Sequence, residues 1–226
     1  MQKYIVNCDA HIPHEMRREI NEKILYLINT HTAEESGITK EDIFNCYTGN
    51  GGLHGLDRKD YASFHEYTQA KKEKEFGQFF TPPKVCQFLV ECIRPEEHDI
   101  IYDLTYGKGD FFNYLPVEEN LYGTELDINA VKVARYLYPK ANLEYGDIRE
   151  YTPYVPADIV FGNPPFHLEW GTSENPISSQ MYYCKKAYQI LKPAGLLAVI
   201  VPESFLADPF TCGTDISTIN QWFNLI

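Results

Sequence analysis

The sequence is short of positive charge. Its 226 residues hold 20 Lys and Arg against 32 Asp and Glu, a formal charge of −12 with a pI near 5.0. A chain that grips nucleic acid through its own surface carries a basic face. The balance therefore counts against tight autonomous DNA binding, and any basic face must be local or belong to another segment or chain. Paired cysteines are also lacking. Cys8, Cys46, Cys86, Cys92, Cys184 and Cys212 are scattered with no C-x-x-C spacing, which predicts reduced cytosolic thiols. His11 and His14 form an H-x-x-H pair with no third ligand in view, so they read as surface histidines and no metal is expected. No apolar run reaches the ~18 residues of a membrane span. Met1-Gln2-Lys3-Tyr4 leads into no signal-like stretch. A cytoplasmic protein with no membrane partner is the expectation. What is present is ordinary for a globular chain, 44% hydrophobic and 23% charged, and long enough to bury a core in one domain or one domain plus an appendage.

Apolar spacings of three and four over residues 13–30 (Met16, Ile20, Ile24, Leu27, Ile28) predict an amphipathic helix. Residues 37–60, with Gly49-Asn50-Gly51-Gly52, read as loop and turn. Residues 61–76, ending in Lys71-Lys72-Glu73-Lys74-Glu75, read as a solvated helix. Residues 1–76 thus form an N-terminal helical section, and 77–226 a second unit. At Gly77-Gln78-Phe79-Phe80-Thr81-Pro82-Pro83 the character changes. Glycine breaks the helix, two rings follow, and Thr81 with Pro82 caps and starts a helix to about Ile93, with Val85, Phe88, Leu89 and Cys92 on one side.

From residue 99 short apolar runs alternate with helical patterns. Strands are predicted at Ile100–Leu104, Leu121–Glu125, Leu143–Tyr145, Ala157–Phe161 and Leu196–Val201. Helices are predicted through Phe111, Phe112 and Tyr114, over 128–138 and over about 177–191. Alternation of this kind means an α/β fold, a parallel sheet with helices on both faces. Ligands in such sheets bind beyond the carboxyl ends of the strands. The first strand ends in Asp103 and the turn Tyr106-Gly107-Lys108-Gly109. The second ends in Glu125, 22 residues after Asp103, a distance suited to ribose hydroxyls. The third ends at Asp147, an acceptor for an amino group. A lone Gly-x-Gly is common in folds that bind nothing there, but consecutive strands each ending in a suitable polar group point to a nucleoside-type cofactor. Phe112 stands where a dinucleotide turn has its third glycine, so a nucleoside with a polar tail fits better than a pyrophosphate.

The fourth strand ends in Asn163-Pro164-Pro165-Phe166. Proline supplies no N–H and fixes φ, so these residues continue neither sheet nor helix. They present an amide oxygen, bare carbonyls and a flat apolar ring, a set suited to a planar group bearing an amine. A rigid turn with a buried aromatic plug would use the same residues for structure alone. Asp158 reads as the start of the strand, and His167 and Glu169 as local hydrogen-bonding groups.

Asp-Leu-Thr-Tyr-Gly-Lys-Gly-Asp-Phe (103–111), Gly-Thr-Glu-Leu-Asp (123–127), Asn-Pro-Pro-Phe (163–166) and Gly-Gln-Phe-Phe-Thr-Pro (77–82) resemble the adenine-N6 DNA methyltransferases of type I and type IIG restriction-modification systems, over roughly residues 76–206. Asn-Pro-Pro-aromatic is shared with enzymes acting on RNA and protein glutamine; the element at 77–82 favours DNA adenine. The resemblance implies a Rossmann-like methyltransferase fold that binds S-adenosyl-L-methionine. Its cofactor-binding residues would be Phe79, Phe80, Thr81, Asp103, Tyr106, Gly107, Gly109, Glu125 (ribose), Asp147 (adenine amine) and Asn163. It implies catalysis by Asn163, Pro164, Pro165 and Phe166 on an adenine flipped out of DNA. Two positions depart from the family, Leu104 for the usual proline and Lys108 for a small residue. Five strands are countable where the family has seven, and residues 216–223 read as a helix. The last strands and a target-recognition domain or specificity subunit are therefore expected elsewhere. The alternatives are the same chemistry on RNA or protein glutamine, or a catalytically incompetent nucleoside-binding or assembly subunit.

Overall fold

Apolar runs too short for helices lie side by side as strands, and the amphipathic segments cover them. A computed structural model of the chain describes residues 12, 14–51, 56–75, 78–166, 168–172, 175–203, 205 and 213–224. Its main sheet contains β1 (Ile101–Asp103), β2 (Leu121–Glu125), β3 (Asn142–Tyr145), β4 (Ala157–Gly162) and β7 (Leu191–Val199), all parallel, in the order β3-β2-β1-β4-β7. The chain runs outward from β1 to β3, then returns to the other side of β1 for β4. That reversal opens a crevice at the carboxyl ends of the strands. The predicted parallel sheet is what the structure shows.

One face is covered by α1 (His14–Asn29), α2 (Lys40–Cys46) and α5 (Ile128–Leu137). Ile24, Ile43 and Phe44 share one cluster with Val131, Ile101, Ile159 and Phe161. Each such side chain contributes about 1.5–3 kcal/mol when fully buried. The other face is covered by α6 (Ser179–Ile190), whose Tyr183 and Ala187 pack on Tyr102, Leu104 and Val160. α3 (Phe64–Glu75) is mostly exposed, and α7 (Gly213–Trp222) packs Ile219 against Met181 and Cys184 of α6.

Several expectations are corrected. The stretch read as loop contains α2, which Thr39 starts. Its hydroxyl accepts from the Asp42 N–H (3.0 Å) while Asp42 accepts from the Thr39 N–H (2.9 Å). Lys40 then reaches the C-terminal carbonyl of Leu137 on α5 at 2.8 Å. The expected helix through Phe111–Tyr114 is only a 3₁₀ turn at Phe112–Tyr114, because Pro116 drives Leu115 into an extended conformation. α4 (Pro83–Ile93) is preceded by Pro82, not capped by Thr81, whose hydroxyl is used elsewhere. Its core side is Cys86 with Leu89, Val90 and Ile93 packed against the core, as expected for Leu89, while Phe88 is 62% exposed. Lys84, Gln87 and Glu91 share one face of that helix, and the buried side is the one opposite them. A hairpin absent from the sequence reading, β5 (Glu169–Thr172) with β6 (Asn175–Ser178), follows the Asn-Pro-Pro loop. Cys46 is disulfide-bonded, which corrects the expectation of reduced thiols at that position. Cys86, Cys92 and Cys184 form no disulfide among the described residues.

No helix among the described residues is long and apolar enough to cross a membrane. His11, Gly52, Gly77 and His167, and the side chain of His14, lie outside the described residues.

Candidate active site

The carboxyl ends of β1, β2, β3 and β4 surround a cavity of about 300 Å³. Phe79, Phe80, Thr81, Asp103, Tyr106, Gly107, Glu125, Asp147, Asn163 and Pro165 all line it. Segments up to 84 residues apart in sequence therefore meet there, as the strand-end reading expected. Gly109, Pro164 and Phe166 lie outside the wall: Gly109 packs on the rings of Tyr138 and Phe112, Pro164 is buried, and Phe166 is half-buried.

The glycine turn after β1 needs its glycines, since Gly107 and Gly109 have φ of 57° and 84°. The Gly107 N–H donates to Glu125 Oε2 at 2.9 Å and the Asp127 N–H to Oε1 at 2.8 Å, so the carboxylate is held by two backbone donors. Asp103 Oδ1 accepts from the Thr105 N–H at 3.0 Å and lies 3.3 Å from the Tyr183 hydroxyl. Burial pushes the Asp103 carboxyl up to about 7, against the Thr105 hydrogen bond and with help from the charges of Glu125 and Asp110. Burial likewise raises Glu125 to about 7, opposed by its backbone donors and reinforced by Asp127. Two carboxyls that resist ionisation thus face one cavity. A ligand that brings positive charge relieves both.

Asp147 is not waiting free. Arg149 Nε lies 2.9 Å from each of its oxygens, a second guanidinium nitrogen bonds Oδ2, and the Arg149 N–H donates to Oδ1 at 2.8 Å. These bonds hold the Asp147 carboxyl below its ordinary range. The same guanidinium lies 6.0 Å from the Trp170 ring on β5, so an arginine and a tryptophan that sequence reasoning missed also wall the site. Lys108, flagged as a departure, turns away from the cavity and is buried instead.

Asn163 is held by its nitrogen. Nδ2 donates to Phe79 O at 2.9 Å and to Thr81 Oγ1 at 3.2 Å. Both amide protons are thereby used, which fixes the rotamer and leaves Oδ1 without a hydrogen-bond partner among the described residues. The segment supplying Phe79 O is itself anchored. Gln78 Oε1 accepts from the Asn50 N–H at 2.7 Å, and Asp127 Oδ2 takes donors from Asn50 (3.0 Å) and Gln78 (3.2 Å). A Cβ on Gly51 would overlap Gln78 O. The glycine stretch read as loop and turn is therefore a built seat for this segment.

The strand leading to Asn163 is fixed by Tyr183. Its hydroxyl accepts from the Leu104 N–H at 2.9 Å and shares its proton between Phe161 O and Asp103, tying the ends of β1 and β4 together. A Cβ on Gly162 would overlap that hydroxyl, which explains the glycine before Asn163.

Residues 60–208 match the N-6 DNA Methylase family, well over half of the chain. The chain belongs to this family. Two curated relatives of this N-6 DNA Methylase chain are methylase subunits of type I restriction enzymes. The StySPI subunit of Salmonella potsdam is 26% identical over 224 residues, covering 79% of this chain and 41% of the relative. The EcoKI subunit of Escherichia coli K12 is 24% identical over 246 residues, covering 88% and 46%. The chain thus spans less than half the length of either. A type I restriction-modification system methyltransferase subunit from Streptococcus thermophilus shares the fold, with a TM-score of 0.50 at 15% identity over 88% of this chain and 58% of that one.

Proposed function

We propose that this chain is the cofactor-binding and catalytic part of an S-adenosylmethionine-dependent adenine-N6 DNA methyltransferase of a restriction-modification system. The observation that carries the reading is Asn163: an amide locked by its nitrogen at the lip of the cavity, with its oxygen unspent. The cofactor fits what surrounds it. Asp103 and Glu125 call for positive charge, and the buried Thr105 Oγ1 has no hydrogen-bond partner among the described residues. Bound there, S-adenosylmethionine would supply a sulfonium methyl as electrophile.

The protein's own groups do the rest. Glu125, oriented by two N–H donors, has lone pairs left for ribose hydroxyls. Asp147 takes the adenine amine once Arg149 yields an acceptor. The exocyclic amine of the target adenine is a poor nucleophile because its lone pair is delocalised into the ring. Asn163 Oδ1 and the Pro164 carbonyl accept its two N–H groups and draw nitrogen towards a tetrahedral shape, lone pair facing the methyl. Transfer would form the N–CH₃ bond as the methyl–sulfur bond breaks to a neutral thioether, and the proton then passes from the cationic nitrogen to water, so no strong base is needed first. Catalysis is then mostly orientation and placed acceptors. Phe166 stacks on the base, which must leave the duplex to reach the site. With a charge of −12, the DNA grip falls to a target-recognition domain or specificity subunit.

The test is label transfer from S-adenosyl-[methyl-³H]methionine to DNA polymers with and without adenine, beside RNA and protein. Transfer confined to adenine-containing DNA is expected. Label in adenine-free DNA, or a preference for RNA or protein, overturns the reading.

A further inference from the structure

A lysine in the middle of a cofactor-binding glycine turn invites the reading that it holds the cofactor's polar tail, but its geometry sends it elsewhere. Lys108 is 8% exposed, and its Nζ lies 3.1 Å from Asp110 Oδ1, 4.8 Å from the Phe44 ring centre and 4.6 Å from that of Phe80. A buried ammonium is tolerated only when paired, and these three groups supply the pairing. Asp110, 5% exposed, uses its other oxygen to accept from the Thr81 N–H at 3.2 Å. Thr81 Oγ1 in turn accepts from Asn163 Nδ2 at 3.2 Å. The contacts therefore run without a gap from the ammonium to the proposed catalytic amide.

We infer that Lys108 is a positioning residue: through Asp110 and Thr81 it fixes the side-chain amide of Asn163, with its oxygen towards the target amine. The role in transfer rests on the proposed function; the relay itself does not. Its physical basis is that a desolvated chain of one ion pair and two hydrogen bonds transmits the loss of one member; Asp110 Oδ1 has no hydrogen-bond partner among the described residues, so the Lys108 ammonium is what compensates its charge. Without the ammonium, Asp110 is a buried unpaired carboxylate and must take up a proton or turn away. The Thr81 N–H then has a weaker neutral acceptor or none, and the Thr81 hydroxyl, one of the two acceptors that choose the Asn163 amide orientation, is held less firmly. A reversed amide would set donor against donor at the target nitrogen. Phe44 belongs to α2, so the relay also makes the N-terminal helices part of the catalytic support.

The deciding measurement is the Asn163 side-chain NH₂ resonance pair in ¹⁵N-labelled full chain, assigned by its loss in Asn163→Asp. Lys108→Met keeps the stem and removes the charge; Asp110→Asn keeps the shape and supplies a second route if the first variant does not fold. Both should shift or broaden the Asn163 pair and speed Thr81 amide exchange about tenfold, as expected for losing one buried charge-assisted hydrogen bond. Lys108→Arg should retain the wild-type pattern, and the double variant should be no worse than either single one. In methyl transfer to adenine-containing DNA, Lys108→Met should lower kcat about 10- to 100-fold with the cofactor KM within about twofold. Unchanged Asn163 and Thr81 signals in folded Lys108→Met or Asp110→Asn overturn the relay. A wild-type chain that transfers no methyl to adenine defeats the proposed function instead, and the resonance and exchange data still decide the relay.

Discussion

Removing an acid from the site should stabilise the protein at pH 8. Asp103 is 3% exposed and its carboxyl is raised from 3.8 to about 7, chiefly by burial. Between those values the folded state keeps a proton that the unfolded state gives up, so stability falls as pH rises. The penalty is absent below pH 3.8, grows through the window and is complete above about 7. At ~1.4 kcal/mol per pH unit it is about 2 kcal/mol at pH 5 and about 4 kcal/mol at pH 8. Asp103→Asn removes it while preserving an acceptor for the Thr105 N–H and a contact for Tyr183. The new amide nitrogen, buried without a dedicated acceptor, costs about 1 kcal/mol at every pH. The variant should therefore be about 1 kcal/mol less stable than wild type near pH 4 and about 3 kcal/mol more stable at pH 8. Urea unfolding at pH 4, 5, 6.5 and 8 measures this directly. A difference that does not vary with pH, or an Asn variant weaker at pH 8, refutes the electrostatic picture of the cavity.

Cofactor binding should be linked to the same protons. A cationic ligand favours ionised Asp103 and Glu125, both near 7 when the cavity lacks it, so binding at pH 7 should release protons and tighten from pH 6 to 8. Calorimetry with S-adenosylmethionine in buffers of different ionisation enthalpy should show a buffer-dependent heat; none, with clear binding, contradicts this. Gly162→Ala forces a Cβ into the Tyr183 hydroxyl and ring edge and should cost about 1–3 kcal/mol in denaturant unfolding. Tyr183→Phe alone strands the Leu104 N–H and Phe161 O and should cost about 1–3 kcal/mol; a neutral result removes the tie between β1 and β4.

The sheet was legible because each strand is a short apolar run stopped by an acid, a glycine or the Asn-Pro-Pro loop. Strand-end chemistry does not depend on fine packing, so Asp103, Glu125, Asp147 and Asn163 could be placed around one cavity from their order alone. What lay hidden was set by tertiary contact. Thr39-x-x-Asp42 is a readable capping box, but the glycines that follow drew attention away from α2. In α4 the polar stripe of Lys84, Gln87 and Glu91 was readable and already put Cys86 on the buried side and Phe88 at its edge. Trp170 sits in a hairpin whose Gly, Thr and Asn-Pro residues carry no strand pattern. Tyr183 looks like any core aromatic until Gly162 is seen to make room for its hydroxyl. Lys108 was visible as an oddity, yet its partners Phe44 and Asp110 are joined to it only by the fold.

The most direct measurement is single-turnover methyl transfer to adenine-containing DNA by Asn163→Ala and Asn163→Asp, with S-adenosylmethionine affinity measured on the same samples. If Asn163 Oδ1 holds the target amine, Asn163→Ala should lower the rate about 10²- to 10³-fold, the scale of losing one placed transition-state partner, while cofactor affinity changes far less. Asn163→Asp should be impaired as well, because a carboxylate would face Phe79 O and Thr81 Oγ1 where an NH₂ now donates. A wild-type rate in either folded variant would contradict the assignment.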